Sequence, residues 1–135
     1  MTTICLDTSA YSHFKAGEPR SIEVISRATS VLMPVIVLGE LRAGFGLGKR
    51  RRRNEEELEE FLARSPVGVL SADEETSLHY AEIFLELRSR GAPIPTNDLW
   101  IGALALQHGA TVVTFDHHFD RIRQVGVILL QSPGA

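Results

Sequence analysis

Four acidic side chains stand out because each lies beside or within a strongly apolar segment, where carboxylates are uncommon. They are Asp7, Glu40, Asp98 and Asp116. Carboxylates crowded in a partly dry pocket repel one another, so such a pocket needs protons or a cation. Oxygen donors without a cysteine or histidine set are typical of Mg²⁺ or Mn²⁺ sites, where water and phosphate oxygens complete the coordination. If the four acids meet, they predict metal-assisted hydrolysis of a phosphate ester.

Two of the acids end predicted strands. Residues 3–6 and 110–115 are short apolar runs typical of buried strands, and they lead directly to Asp7 and Asp116. Further strands are predicted over residues 30–33, 67–70 and 127–130, the last at an edge of the sheet. Strands that alternate with helices indicate an α/β fold with an open, mostly parallel sheet and right-handed crossovers. In such sheets the site lies beyond the carboxyl ends of the strands, so both acids are expected there.

Asp98 opens a predicted helix within residues 95–109. Thr96 is a suitable N-cap and Gly109 a suitable stop, and the apolar circumference between them predicts a buried helix. Asp98 is then expected to face the same site as the strand-end acids. The alternative is that it complements the helix dipole, an interaction worth about 0.3–1 kcal/mol. Trp100 is expected to point away from Asp98 and to pack in the interior rather than stack on a base.

Glu40 falls in the apolar stretch of residues 35–43, which predicts a helix with Pro34 near its first turn. Three glycines at positions 44, 46 and 48 are expected to break that helix. The common alternative is an exposed glutamate on the helix surface, but most neighbours of Glu40 in this stretch are apolar.

Hydroxyl side chains accompany the strand-end acids. Thr8 and Ser9 follow Asp7, and Thr114 precedes Asp116 by two residues. Such hydroxyls can orient carboxylates by donating hydrogen bonds to them, so we expect supporting roles for all three.

The other helices follow from local signals. Residues 10–27 predict two short helices separated by a turn at residues 16–19, with the second beginning near Ser21. Ser71 and Glu74 predict a capping box for a helix that ends near Arg90, where Gly91 stops it. The predicted inner stripe of that helix consists of Tyr80, Ile83, Phe84 and Leu87.

A basic run at residues 49–53, Lys49 to Arg53, precedes an acidic helical stretch at residues 55–64. Arg51, Arg52 and Arg53 each have a glutamate four residues later, which predicts a solvated helix with internal ion pairs. Cations near a helix start oppose its dipole, however, so contact with phosphate or with a partner is the alternative.

Composition sets the remaining bounds. With 135 residues, 44% of them hydrophobic, the chain is expected to form one domain spanning residues 1–135. The single cysteine, Cys5, is expected to be a buried thiol. We expect a cytoplasmic protein, because the sequence has no basic leader segment and no apolar run long enough to span a membrane. The net charge of −3 argues against a protein that coats nucleic acid, so a polyanion must be met by metal ions or a local patch.

Four motifs together resemble the PIN domain, in order and across nearly the whole chain. They are Leu-Asp-Thr-Ser at 6–9, Glu-Leu-Arg-Ala-Gly at 40–44, Asn-Asp-Leu-Trp-Ile-Gly-Ala at 97–103 and Thr-Phe-Asp-His-His-Phe at 114–119. The chain is most similar to the VapC toxins of toxin–antitoxin pairs, which are small metal-dependent ribonucleases. The resemblance implies a Rossmann-like three-layer sandwich with a five-stranded sheet.

The resemblance also assigns the site. It implies a catalytic quartet of Asp7, Glu40, Asp98 and Asp116, in which Asp7, Asp98 and Asp116 hold Mg²⁺ or Mn²⁺. The fourth position of the family varies, so Asp116 is expected to bind the ion directly or through water, with Asp120 as a weaker substitute.

The resemblance implies three partners: an RNA substrate, a cognate antitoxin that blocks the site, and a second copy of the chain in a homodimer. With the antitoxin, this homodimer would form a heterotetramer or a larger assembly. Residues 44–48 and the charged helix that follows them are the candidate contact surfaces.

Other functions were weighed against this one. A haloacid-dehalogenase-like phosphatase needs a second aspartate where Ser9 stands, and a phospho-accepting receiver domain needs an acidic pair and a late lysine that are missing. A zinc site on Asp116, His117 and His118 is disfavoured because adjacent histidines rarely point to one ion. A PIN-like binding module without activity and a housekeeping nuclease without a toxin role stay as alternatives.

Overall fold

The fold is built on five parallel strands in a computed structural model that describes residues 2–131. The spatial order is β3-β2-β1-β4-β5, which places β1 in the centre and β3 and β5 at the edges. The strands are β1 Thr3–Leu6, β2 Ser30–Pro34, β3 Val67–Leu70, β4 Thr111–Thr114 and β5 Val127–Leu129. All five predicted strands, the parallel sheet and the edge position of the last strand are confirmed. Residue 1 and residues 132–135 of the predicted domain lie outside the described residues.

In the described part of the chain, six α-helices and one 3₁₀ turn flank this sheet. They are α1 Thr8–Lys15, α2 Pro19–Arg27, α3 Val35–Leu47, α4 Arg51–Leu62, α5 Glu74–Ser89, α6 Thr96–Gln107 and the 3₁₀ turn His117–Arg121. Since β1 is followed along the chain by β2 and β3 on one side, and later by β4 on the other, the strand order reverses between β1 and β4. Parallel α/β sheets form their binding crevices at such a reversal.

The central strand is enclosed over its last three residues. Ile4, Cys5 and Leu6 have no solvent-exposed surface, because helices cover both faces of a parallel sheet. Burial raises the pKa of the Cys5 thiol far above its usual range, so this buried cysteine is not a nucleophile. The middle of helix α6 is also buried, as the sequence predicts, with Ala103, Leu104 and Ala105 all fully inaccessible, whereas its first two residues are exposed. Trp100 packs on Tyr80 with ring centroids 4.2 Å apart.

Helix α3 continues past the point where the sequence predicts its end. Gly44 and Gly46 lie inside the helix, and Gly48 follows its last residue, so the predicted break at residue 44 is wrong. Each interior glycine costs about 1 kcal/mol relative to alanine. The last turns are held by tertiary contacts instead: Phe45 packs against the core, and Arg42 forms ion pairs with residues of α4.

Three predicted helix starts also differ from the structure. Asp73, rather than Ser71, is the N-cap of α5, and it forms a capping box with Thr76, whose hydroxyl also donates to Gln107 of α6. Thr96 is the first residue of α6 and not its cap, because Pro95 already provides the extended turn into the helix. Helix α2 begins at Pro19, two residues before the predicted Ser21, with Glu18 as its cap.

The inner stripe of α5 is only partly as predicted. Ile83 and Leu87 are buried and Tyr80 is partly buried, but Phe84 is 39% exposed. No helix among residues 2–131 combines the length and apolar character needed to cross a bilayer.

Replacing Gly44 by alanine should stabilise the protein by about 0.5–1 kcal/mol, because the helix interior favours alanine. A Cβ at Gly44 would meet no atom within 4 Å. Gly109→Ala is the matched control and should destabilise by about 1–2 kcal/mol, since Gly109 has a φ of +63°. Urea unfolding of the two variants measures both values. Equal destabilisation by the two changes would contradict a continuous α3.

Candidate metal centre

Asp7 lies at the carboxyl end of β1 and caps α1, where its side chain is only 4% exposed. Three groups donate hydrogen bonds to its carboxylate: the Ala10 amide at 2.8 Å, the Ser9 hydroxyl at 2.8 Å and the Thr114 hydroxyl at 2.6 Å. Burial raises the pKa of Asp7 above its usual value, while these hydrogen bonds act in the opposite direction. The carboxylate is therefore rigidly held before any ligand binds.

The same two hydroxyls connect the ends of β1 and β4. Ser9 Oγ also accepts a hydrogen bond from the Phe115 amide at 3.0 Å, and Thr114 Oγ1 accepts one from the Asp116 amide at 2.8 Å. Thr114 has no exposed surface. The backbone that presents Asp116 is thus fixed relative to Asp7 by hydrogen bonds through Ser9 and Thr114.

Asp98 lies in the first turn of α6, and its side chain is 15% exposed. Burial, followed by the negative charge of Asp116, raises the pKa of Asp98 to about 6, and Asp7 and Glu40 act in the same direction. His118 opposes this rise, since its Nδ1 lies 3.3 Å from an Asp98 oxygen. The other three acids are therefore close enough to affect the carboxyl group of Asp98.

The 3₁₀ turn brings His118 and Asp116 to Asp98. Asp116 caps this turn by accepting from the His118 amide at 2.9 Å, and its carboxylate lies 3.0 Å from His118 Nδ1. Just after this turn, the Ile122 side chain packs over Gly102 of α6, where a Cβ would stand 2.7 Å from its Cδ1.

Glu40 reaches the site from α3. Its carboxylate accepts a hydrogen bond from the Thr8 hydroxyl at 2.8 Å and one from the Asn97 amide group at 3.3 Å. Thr8 thus contacts Glu40 and not Asp7, whereas Ser9 and Thr114 contact Asp7.

Within residues 2–131, three of these residues form a compact set of ligand atoms. Asp98, Asp116 and His118 each offer one ligand atom within 4.8 Å of the others, and all three are partly exposed. Asp7 lies beside this trio, while Asp120 and His117 are exposed and do not belong to it. Two carboxylates and an imidazole can together hold a divalent cation.

The sequence patterns assign no role to Asn97 and give His118 only a disfavoured zinc site, but the fold places both residues in the candidate centre. Asn97 precedes Asp98 and contacts Glu40, while His118 bridges Asp98 and Asp116. The signal for His118 was its spacing of two residues from Asp116, which a tight turn converts into proximity. Asn97 had no local signal, because its partner lies 57 residues away.

Two sequence relatives show where the chain belongs. Ribonuclease VapC2 of Rickettsia felis is 32% identical over 112 residues, which cover 83% of this chain and 81% of that protein. Plasmid stability protein StbB of Pseudomonas syringae pv. tomato is 36% identical over 121 residues, which cover 84% of this chain and 87% of that protein.

Solved structures agree with these relatives. The structure of VapBC2 from Rickettsia felis, bound to a DNA fragment from its promoter, contains a similar chain with a TM-score of 0.81 and 26% sequence identity. The match covers 94% of the present chain and 98% of the VapBC2 chain. VapBC-5 from Mycobacterium tuberculosis, a member of the VapBC family of toxin-antitoxin systems, contains a similar chain with a TM-score of 0.76 and 25% sequence identity. The match covers 96% of the present chain and the full length of the VapBC-5 chain.

The profile of the PIN domain matches residues 4–125, a span that includes all four acids and His118. The fold, the order of the acidic motifs and the relatives agree, and the chain belongs to the PIN domain family as a protein of the VapC type.

Proposed function

We propose that this chain is a metal-dependent endoribonuclease that acts as the toxin of a toxin–antitoxin pair. The observation that carries the proposal is the meeting of Asp7, Glu40, Asp98 and Asp116, which come from four separate segments of the chain. The names of similar proteins, which include ribonuclease and toxin, support the same activity.

In this proposal Asp7, Asp98 and Asp116 supply carboxylate oxygens to Mg²⁺ or Mn²⁺, and His118 adds a nitrogen. The bound ion would lower the pKa of a water molecule and offset charge on the scissile phosphate. Ser9 and Thr114 hold Asp7 by the hydrogen bonds described above, so that its orientation is set in advance.

Glu40 takes a different role in the proposal, because Thr8 and Asn97 already orient its two oxygens. Its contact with Asn97, at 3.3 Å, is long for a hydrogen bond. Glu40 Oε2 can therefore accept a proton from the attacking water.

The proposed partner is a cognate antitoxin protein. Related structures were solved as VapBC complexes, and one is described as part of a toxin-antitoxin system. We further propose that the toxin is a homodimer, which the antitoxin binds to form a larger complex, and that residues 1–135 form one domain that acts in the cytoplasm, where RNA is available.

Replacing Asp7 or Asp98 by asparagine should reduce RNA cleavage by at least about 100-fold, because each change removes a proposed metal ligand. Asp120→Asn is the matched control: this aspartate is exposed, lies outside the trio and should retain wild-type activity. The measurement is cleavage of total RNA by purified protein in Mg²⁺ or Mn²⁺, with a chelator as the second control.

Wild-type cutting by Asp98→Asn would remove the proposed metal role of that residue. Loss of activity in Asp120→Asn, with Asp116→Asn unaffected, would assign the fourth carboxylate to residue 120.

Expression of the wild-type chain should arrest bacterial growth, because a ribonuclease without its inhibitor destroys RNA. Co-expression with the product of the neighbouring reading frame should restore growth, and Asp98→Asn should permit growth without it. Growth curves of the three strains measure this. If the wild-type protein cleaves RNA in vitro but does not slow growth, the chain is a housekeeping nuclease and not a toxin.

In a chelator, the folded protein should lose stability as the pH rises from about 4 to about 6. Asp98 ionises near its usual value when unfolded, but its pKa is raised to about 6 when folded, so the folded state disfavours the charged form. Asp98→Asn should therefore raise Tm at pH 8 by about 5 °C, and by much less at pH 4.

Thermal unfolding at the two pH values tests this expectation, with Asp120→Asn as the exposed control. Added Mn²⁺ should raise the Tm of the wild type at pH 8 and leave that of Asp98→Asn nearly unchanged. An equal effect of Asp98→Asn at both pH values would contradict the raised pKa.

A further inference from the structure

Three consecutive cations, Lys49, Arg50 and Arg51, form an exposed surface between α3 and α4, which we name the basic turn. None of the three forms an ion pair with a carboxylate of residues 2–131. By contrast, the next two residues are paired: Arg52 with Glu56 at 3.3 Å and Arg53 with Glu57 at 3.0 Å. The unpaired positive charge of residues 49–53 is therefore concentrated in the first three of them.

The reason lies in a competing ion pair. Sequence spacing predicts that Arg51 pairs with Glu55, but Glu55 pairs with Arg42 of α3 instead. The same guanidinium also contacts Glu59 at 2.9 Å. Arg42 thus removes the natural partner of Arg51 and at the same time fixes the start of α4 against α3.

This arrangement gives no benefit to folding. Arg50 precedes α4 without a side-chain cap, and the first turn of the helix contains no acidic residue. Adjacent like charges at the positive end of a helix dipole are unfavourable by a few tenths of a kcal/mol each. Exposed charges that oppose local stability point to an anionic ligand as the reason for their presence.

Helix α3 relates the basic turn to the candidate metal centre. Glu40 and Leu47 belong to the same helix, and seven residues at 1.5 Å each separate them by about 10 Å. Only Gly48 separates Leu47 from the basic turn, which therefore lies roughly 10–15 Å from Glu40. At about 3.4 Å per stacked nucleotide, this distance corresponds to three or four nucleotides.

We propose that the basic turn binds the phosphates of the RNA strand about three or four nucleotides from the bond that is cut. The proposal rests on the proposed ribonuclease function and names a second contact for the same substrate. An acidic centre repels an RNA strand, and the chain as a whole is negative, so the strand needs a local cationic contact. A protein partner would require a broader apolar surface, whereas Leu47 is the one large exposed hydrophobic residue that residues 2–131 place beside the turn.

A pair of double variants tests the contact. R50Q/R51Q and R52Q/R53Q each remove two charges from adjacent positions, but only the first removes unpaired ones. The probe is a fluorescein-labelled, 20-nucleotide single-stranded RNA of mixed sequence, and its anisotropy is measured in EDTA at several salt concentrations.

R50Q/R51Q should weaken binding about 3–10-fold at low salt and reduce the slope of log K against log salt by about 1.4, since each phosphate contact contributes about 0.7. R52Q/R53Q should change the slope by less than about 0.4. Equal slope changes in both variants would show a net-charge effect and overturn the proposal. Thermal unfolding verifies that both variants are folded.

A second measurement tests the distance. After the cleaved ends have been mapped, RNAs that end two or eight nucleotides from the cut are compared by kcat/KM. R50Q/R51Q should lower kcat/KM several-fold for the longer RNA through KM, and leave the shorter one unchanged. Equal losses for both lengths would contradict a contact at this distance.

Two further results would also overturn the RNA assignment. One is that R50Q/R51Q binds RNA normally but no longer co-purifies with the product of the neighbouring reading frame, which would make the turn a protein-binding surface. The other is an equal loss of affinity for a 20-base-pair DNA duplex. If the wild-type protein cuts no RNA while the anisotropy difference persists, the ribonuclease function fails and the anion contact stands.

Discussion

The hydrogen bond from Thr114 to Asp7 is the interaction on which the candidate centre depends most. It joins two strands that are neighbours in space and 107 residues apart in sequence, at the point where the strand order reverses. A carboxylate with 4% exposure must be compensated by donors, and Thr114, Ser9 and the Ala10 amide provide them. Ser9 and Thr114 also accept hydrogen bonds from the backbone amides of Phe115 and Asp116, so the same two hydroxyls position a second acid.

Mutual repulsion is the second constraint. Asp98 is crowded by Asp116 and held partly away from water, so its charge is disfavoured without a cation. His118 relieves part of this repulsion within the chain itself, because its imidazole lies between the two carboxylates. The centre therefore stores an unfavourable arrangement that the surrounding buried helix and sheet stabilise, which is common where function competes with stability.

Much of the fold and part of the centre were predictable from the sequence. The apolar runs identified all five strands, and strand ends identified Asp7 and Asp116, because hydrophobic burial and parallel topology are local patterns with a global consequence. The wrong starts of α2 and α6 reflect neighbouring prolines, whereas the other errors concern features set by distant partners. The capping box of α5 depends on Thr76, which also contacts α6, and the fate of Arg51 depends on Arg42, whose hold on Glu55 crosses 13 residues. Helix α3 likewise continues through Gly44 and Gly46 because contacts with other elements hold its last turns.

The position of β4 in the sheet has a consequence for synthesis of the chain. β1 pairs with β4, so the crevice needs residues 3–6 and 111–114 at once. Contacts this far apart close late, because loop closure must be completed first. A nascent or truncated product that lacks β4 therefore carries an incomplete centre.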